Sequence, residues 1–350
     1  MVGRTGFGWL DVSSSTLLFL SQVGFAMLMF SAGMRVPLSD GGLRASLGRG
    51  TAAAAIVAVL AVPAGILLSL LPGVGHPAIY VILLASGSAA IVLPVIQERG
   101  LKGEGVLVLI TQVTVADVLA TLAIPFVLAP SAAGRAAVGT AVTAACVGLA
   151  FLLSRLLRNS AWIPRLREEG KRRNWALDLR VALIALFTLA WVAQRTGASV
   201  LIAGFGAGLM VAAIGGPKRL STQVLGIAGG FFVPLFFVVL GAQIELRGVV
   251  QRPALIVLTC LLVVATVIIH FLAGAATAQR PAAALLASAQ LGVPSAMVAL
   301  GLADHVISST VAGAILTAAM VTVVICGIGG GQLARQGGRP ASPSGPRPET

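Results

Sequence analysis

Eleven apolar runs dominate this chain, at residues 15–34, 51–71, 77–96, 105–129, 136–154, 181–194, 198–214, 220–244, 253–279, 281–303 and 306–328. A helix of about 20 residues crosses a bilayer, because each residue rises about 1.5 Å against a hydrocarbon core about 30 Å thick. Lipid offers the backbone no hydrogen-bond partner, so runs of this length fold as helices. The sixth run is short, and Arg180 at its start can snorkel to the interface. The runs predict an all-α polytopic membrane protein with about 11 transmembrane helices. Charged residues make up 10% of the chain, far below the roughly 25% of a soluble domain.

Charge placement orients the chain. With alternate loops on opposite faces, 19 of the 24 Lys and Arg fall on one face and 5 on the other. The positive-inside rule makes the first face cytoplasmic, which puts the N-terminus outside and the C-terminus in the cytoplasm of a cell that carries the protein in its inner (plasma) membrane. Topology thus accounts for the net charge of +13 without nucleic acid as a partner, since no basic run is interleaved with the aromatics that base stacking needs. The longest loop, 158–178, carries Trp162, Pro164, Trp175 and six basic residues, and reads as a connector lying on the cytoplasmic membrane surface. Cys146, Cys260 and Cys326 are far apart, which gives neither a disulfide framework nor a metal-ligand spacing. No cofactor motif is present.

Within all eleven runs Asp117 is the only residue charged at neutral pH. It lies twelve residues from each end of its run, roughly 18 Å at the helical rise. A carboxylate at that depth costs about 2.5–3.5 kcal/mol on insertion scales. Two readings offset that cost: an ion or proton site facing a cavity, or a structural aspartate hydrogen-bonded between helices.

Two runs carry helix-weakening residues at mid-depth. The third has Ala85-Ser86-Gly87-Ser88-Ala89 at its centre and Pro94 near its end; the tenth has Gln290-Leu291-Gly292-Val293-Pro294-Ser295. Glycine, serine and proline in these positions loosen a helix. Interrupted helices in corresponding positions of two halves mark a transporter site. The halves correspond if one helix is added ahead of residue 15, so the chain reads as short at its N-terminus, with inverted repeats.

The residues around these breaks resemble a known family. Residues 20–34 (LSQVGFAMLMFSAGM), 87–96 (GSAAIVLPVI) and 230–242 (GFFVPLFFVVLGA) are similar to motif helices of the monovalent cation/proton antiporters, CPA2 branch, the sodium/hydrogen exchanger transmembrane domain. The third match is the most specific. The resemblance implies the inverted-repeat sodium/proton antiporter fold with two crossed, broken helices. It also implies a homodimer, provided the apparently missing N-terminal helices are present, with a scaffold and a moving core in each protomer. The expected division is an external remnant (1–14), an exchanger transmembrane domain (15–328) and a disordered cytoplasmic tail (329–350). Within the domain come a first repeat (15–129), connecting helices with the cytoplasmic loop (130–197), and a second repeat (198–328).

Two departures from the family pattern bear on chemistry. The ion-site helix of the family carries two adjacent acids or Asn-Asp; here the pair is Ala116-Asp117, and a single acid implies one-for-one exchange. The position of a frequent family lysine falls at His270, for which a structural hydrogen bond and a charge-pairing or pH-sensing role both remain open. The expected site is Asp117 with Thr114, Ser88, Gly87 and Ser295, further oxygens coming from Ser86, Thr111 and freed carbonyls, and with His270 as a candidate charge partner. Hard monovalent cations take such oxygen ligands. The expected function is exchange of Na+ or K+ for H+ by alternating access, not enzymatic catalysis. The alternatives are a sodium-coupled organic-solute symporter of similar fold and a truncated, non-transporting remnant. An intramembrane aspartyl protease needs two apposed aspartates, and only one lies within the runs.

Overall fold

A computed structural model of the chain describes residues 14–34, 41–128, 133–157, 177–196, 200–214, 218–244 and 246–337. The readings made above for residues 1–13, for the loop 158–176 with Trp162, Pro164 and Trp175, and for 338–350 lie outside the described residues. Helices follow in the order α1 (Ser15–Met34), α2 (Gly41–Ser69), α3 (Pro77–Ala85), α4 (Ala89–Glu98), α5 (Glu104–Leu128), α6 (Ala133–Leu157), α7 (Leu177–Thr196) and α8 (Val200–Ile214). After them come α9 (Lys218–Ile227), α10 (Val233–Ala242), α11 (Leu246–Gln251), α12 (Pro253–Ala276), α13 (Pro281–Ala287), α14 (Gly292–Ala303) and α15 (Ser309–Gly337). Among the described residues nine spans are long and apolar enough to cross a membrane, and Ala137–Leu153 and Val200–Ile214 are shorter apolar helices. The chain is an all-α, multi-pass membrane protein.

Both anticipated interruptions are present. The third run divides into α3 and α4 because Ser86 (φ −78, ψ 158) and Ser88 (φ −136, ψ 91) are extended. The tenth divides into α13 and α14 between Ser288 and Leu291 (φ −146, ψ −49).

Three departures from the sequence reading have local causes. The run 220–244 is not one regular helix: a π turn, Ala228–Phe232, separates α9 from α10. Pro234 has no N–H for the α ladder, and the Val233 N–H reaches back to Ala228 O instead. The expected start of the second span at residue 51 is corrected to Ser46, and its helix begins earlier still, at Gly41. Arg49 therefore sits on α2, where its guanidinium bonds Glu104 Oε1 at 2.7 Å and Thr277 O at 2.9 Å. The tail expected to begin at 329 is corrected as well, because α15 runs on to Gly337. A Cβ at Gly329 would stand 2.7 Å from Leu285 Cβ, and one at Gly330 would stand 2.6 Å from Val95 Cγ1. Those glycines let α15 approach α13 and α4, and packing sustains the helix through a run that composition alone marks as its end.

Packing sorts the helices into two groups. One is built on α1, which lies along α8 and α10, with α6 and α7 against α8. Its core holds Ala26, Met27, Phe30, Leu186, Ala203 and Ala207. Gly204 and Gly208, a small-xxx-small pair, bring α8 against the backbone of α1. A Cβ at Gly204 would lie 2.7 Å from Ala26 O, and one at Gly208 would overlap Phe30 O. The second group joins α2, α3 and α5 to α12, α13, α14 and α15, and it contains both breaks.

Candidate functional site

Asp117 sits on α5, 7% exposed, where both breaks converge. Its Oδ2 accepts the N–H of Ala89, the first residue of α4, at 3.2 Å. Gly292, the first residue of α14, stands on the other side; a Cβ there would be 4.0 Å from Oδ1. The N-termini of two half-helices thus flank one carboxylate. Each helix N-terminus carries about half a positive charge, so the pair offsets part of the cost of burying the anion. Among the described residues Asp117 has no ion-pair partner; the ion pair present there is Arg49–Glu104, at 2.7 Å on exposed side chains.

Two buried hydroxyls lie close along the chain to the groups just described. Ser88 immediately precedes Ala89, and Thr114 precedes Asp117 by one turn on the same face of α5. Both are buried, at 0% and 7% exposure, and Ser88 Oγ and Thr114 Oγ1 have no hydrogen-bond partner. A buried polar oxygen left unpaired costs about 1–3 kcal/mol. Carboxylate and hydroxyl oxygens are the kind of ligand that a hard cation takes.

The other expected site residues divide. Gly87 packs the first break onto α5, since a Cβ would sit 3.1 Å from Val113 Cα and 3.2 Å from Val113 O. Ser295 is fully buried, but its Oγ donates to Leu291 O at 2.6 Å. Ser86 Oγ donates to Leu83 O at 2.8 Å, and Thr111 Oγ1 is shared between Leu107 O at 2.9 Å and Ser46 Oγ at 3.1 Å. These oxygens are engaged within the protein. His270 is buried, with Nδ1 2.8 Å from Thr266 O on its own helix, and it makes no ion pair with Asp117.

The sequence reading followed titratable groups and passed over three buried amides. Gln290 Nε2 lies 3.5 Å from Ser86 O, linking the two breaks. Gln279 Nε2 donates to Gln112 Oε1 at 2.8 Å, joining α5 to the turn after α12. An amide inside an apolar run is the available signal, because a buried amide requires partners.

The two glycines at the breaks should respond differently to substitution. Gly87→Ala must displace the α5 backbone at Val113 and should lower the melting temperature. Gly292→Ala meets only the space beside Asp117, so it should fold normally while narrowing the site. Melting curves of the two purified variants against wild type check this, and equal destabilisation would contradict the geometry.

Comparison with known proteins gives the family and relatives of the chain. The model of the family described as "Sodium/hydrogen exchanger, transmembrane" matches residues 1–336. The chain is 22% identical over 346 residues to YjbQ of Bacillus subtilis (strain 168), a protein named for Na(+)/H(+) antiport, covering 93% of this chain and 56% of that protein. It is 25% identical over 259 residues to the Na(+)/H(+)-K(+) antiporter GerN of Bacillus cereus, covering 71% of this chain and 64% of GerN. The chain therefore spans little more than half the length of these curated relatives.

Proposed function

This chain belongs to the sodium/hydrogen exchanger transmembrane family, and from that premise we propose that it is a secondary active transporter exchanging Na+ or K+ for H+ by alternating access. The observation that carries the reading is Asp117, the one charge within the apolar runs, set between two half-helix N-termini, with the unpartnered hydroxyls of Ser88 one residue before Ala89 and of Thr114 one turn before Asp117. The names of its relatives support monovalent cations, and that of GerN includes potassium.

The mechanism is competition at one carboxylate. A proton or a cation neutralises Asp117, and either loaded form carries no net charge through the membrane. An unloaded Asp117 carries a full charge, which disfavours an empty return step and couples the two fluxes. Alternate loading from opposite sides exchanges one proton for one cation, so the cycle is electroneutral. The moving part is the group containing both breaks, and the group built on α1 and α8 is the scaffold. The spans run as inverted repeats, with the N-terminus outside, the C-terminus in the cytoplasm and the plasma membrane as the site of action. The functional unit is a homodimer joined through scaffold helices. An organic-anion symporter would need a basic group at the site, and the apolar runs contain no Lys or Arg.

Proton flux in liposomes tests this. An inward Na+ or K+ gradient should drive outward proton movement, and clamping the membrane potential with valinomycin and potassium at zero or at a negative value should leave the Na+-driven rate unchanged. A rate that rises with the imposed potential would contradict electroneutral exchange. Absence of cation-driven proton movement would contradict the exchange itself.

A further inference from the structure

The two breaks leave backbone ends of opposite sign. The N–H end of α4 donates to Asp117, and the first residue of α14 lies beside the same carboxylate. The carbonyl end of α3 meets Gln290, whose amide Nε2 donates to Ser86 O at 3.5 Å. Gln290 is 5% exposed and lies between the end of α13 and Gly292. Its own N–H donates to Thr322 Oγ1 at 3.1 Å, and Thr322 Oγ1 donates to Ala319 O on α15 at 2.7 Å. A small cavity of about 10 Å³, lined in part by Gln290, Thr266 and Thr322, borders it. Gln290 therefore belongs to one break, touches the other, and is anchored to a third helix.

The electrostatics explain why an amide suits this place. A helix C-terminus carries about half a negative charge. A lysine or arginine would answer it, but its full positive charge would repel a cation at the carboxylate across the crossing. An amide N–H satisfies the carbonyl and adds no net charge.

We propose that Gln290 is a positioning residue for cation binding: its amide holds the Ser86 carbonyl, and thereby fixes Ser88 and the Ala89 N–H relative to Asp117, while keeping the crossing free of a competing positive charge. The role rests on the exchange reading of Asp117. Ser86, Gly87, Ser88 and Ala89 are consecutive, with Ser86 and Ser88 extended and Ala89 opening α4, so a shift of the Ser86 carbonyl displaces Ser88 and the Ala89 N–H that Asp117 accepts. Loss of the amide should act on cation affinity more than on turnover.

Reconstituted wild type, Gln290→Met, Gln290→Lys and Thr322→Val test the role at one fixed pH. Gln290→Met keeps the side-chain volume and removes the donor; the cation KM should rise about tenfold, the order of one lost hydrogen bond, with kcat nearly unchanged. Thr322→Val releases the anchor of the Gln290 N–H and should raise KM in the same direction by a smaller factor. Gln290→Lys should raise KM further than Gln290→Met, through charge. An unchanged KM in Gln290→Met, or a fall in melting temperature and kcat with KM constant, overturns the role. Asp117→Asn runs in parallel: Asp117-dependent exchange with no KM shift sinks the Gln290 role alone. Wild type as inactive as Asp117→Asn sinks the exchange reading, and the Gln290 role with it.

Discussion

Asp117→Asn is expected to leave the bundle folded and to abolish cation/proton exchange. The carboxamide has the shape of the carboxylate, and its oxygen can accept the Ala89 N–H that Asp117 Oδ2 accepts at 3.2 Å. It cannot carry the charge or give up the proton on which exchange depends. Exchange should fall by at least about 100-fold, a loss of roughly 2.7 kcal/mol in transition-state terms. Stability should move the other way or not at all. The buried charge costs about 2.5–3.5 kcal/mol on insertion scales, and the amide removes that cost while keeping the hydrogen bond. Proteoliposome flux and a melting curve on the same preparation separate the two readings of this residue. Lost flux with a constant or raised melting temperature marks a functional carboxylate. Lost flux with a lowered melting temperature marks a structural one.

Gly208→Leu is expected to cost the folded protein. At the α1–α8 contact a Cβ on Gly208 would overlap Phe30 O and come within 2.8 Å of Met34 N. Overpacking costs about 1–3 kcal/mol where neighbouring side chains can shift. The obstacles here are backbone atoms of a helix, which cannot rotate aside. Helices in lipid associate by close packing, without the hydrophobic driving force of water, so a lost approach is not offset by burial elsewhere. Gly241→Leu is the control, because nothing stands within 4 Å of a Cβ there. Monodisperse yield and melting temperature in detergent should drop sharply for the first variant and hold for the second. Equal behaviour would remove the α1–α8 contact as an organiser of its group.

The same pair of glycines shows where the sequence stops being informative. Both lie in apolar runs; the Gly204–Gly208 spacing marks a face suited to close packing, but the backbone against which Gly208 is pressed, and the open space before Gly241, are visible only in three dimensions. Helix existence was legible because lipid forces apolar runs into helices. The breaks were legible because Ser86-Gly87-Ser88 and Gly292-Val293-Pro294 weaken a helix locally. Asp117 was legible because a charge is rare at mid-depth. Helix ends at polar flanks were not: α2 begins at Gly41 and α15 ends at Gly337, both beyond their apolar runs, since tertiary contacts extend a helix past the segment lipid requires. Hydroxyls could be nominated from the sequence but not sorted. Ser295 looks as suitable as Ser88, yet Ser295 Oγ turns to Leu291 O while Ser88 Oγ is left unpaired, a difference of local backbone geometry. The part played by His270 depends on its side-chain direction, and the ring turns to Thr266 O on its own helix.

Proton release on cation binding tests most directly the claim that a single carboxylate holds either a proton or a cation. Purified protein in weakly buffered detergent, at a pH where Asp117 is protonated, should release up to one proton per chain on addition of saturating Na+ or K+. Asp117→Asn should release none. Cation binding without proton release, or release that persists in Asp117→Asn, would contradict the account.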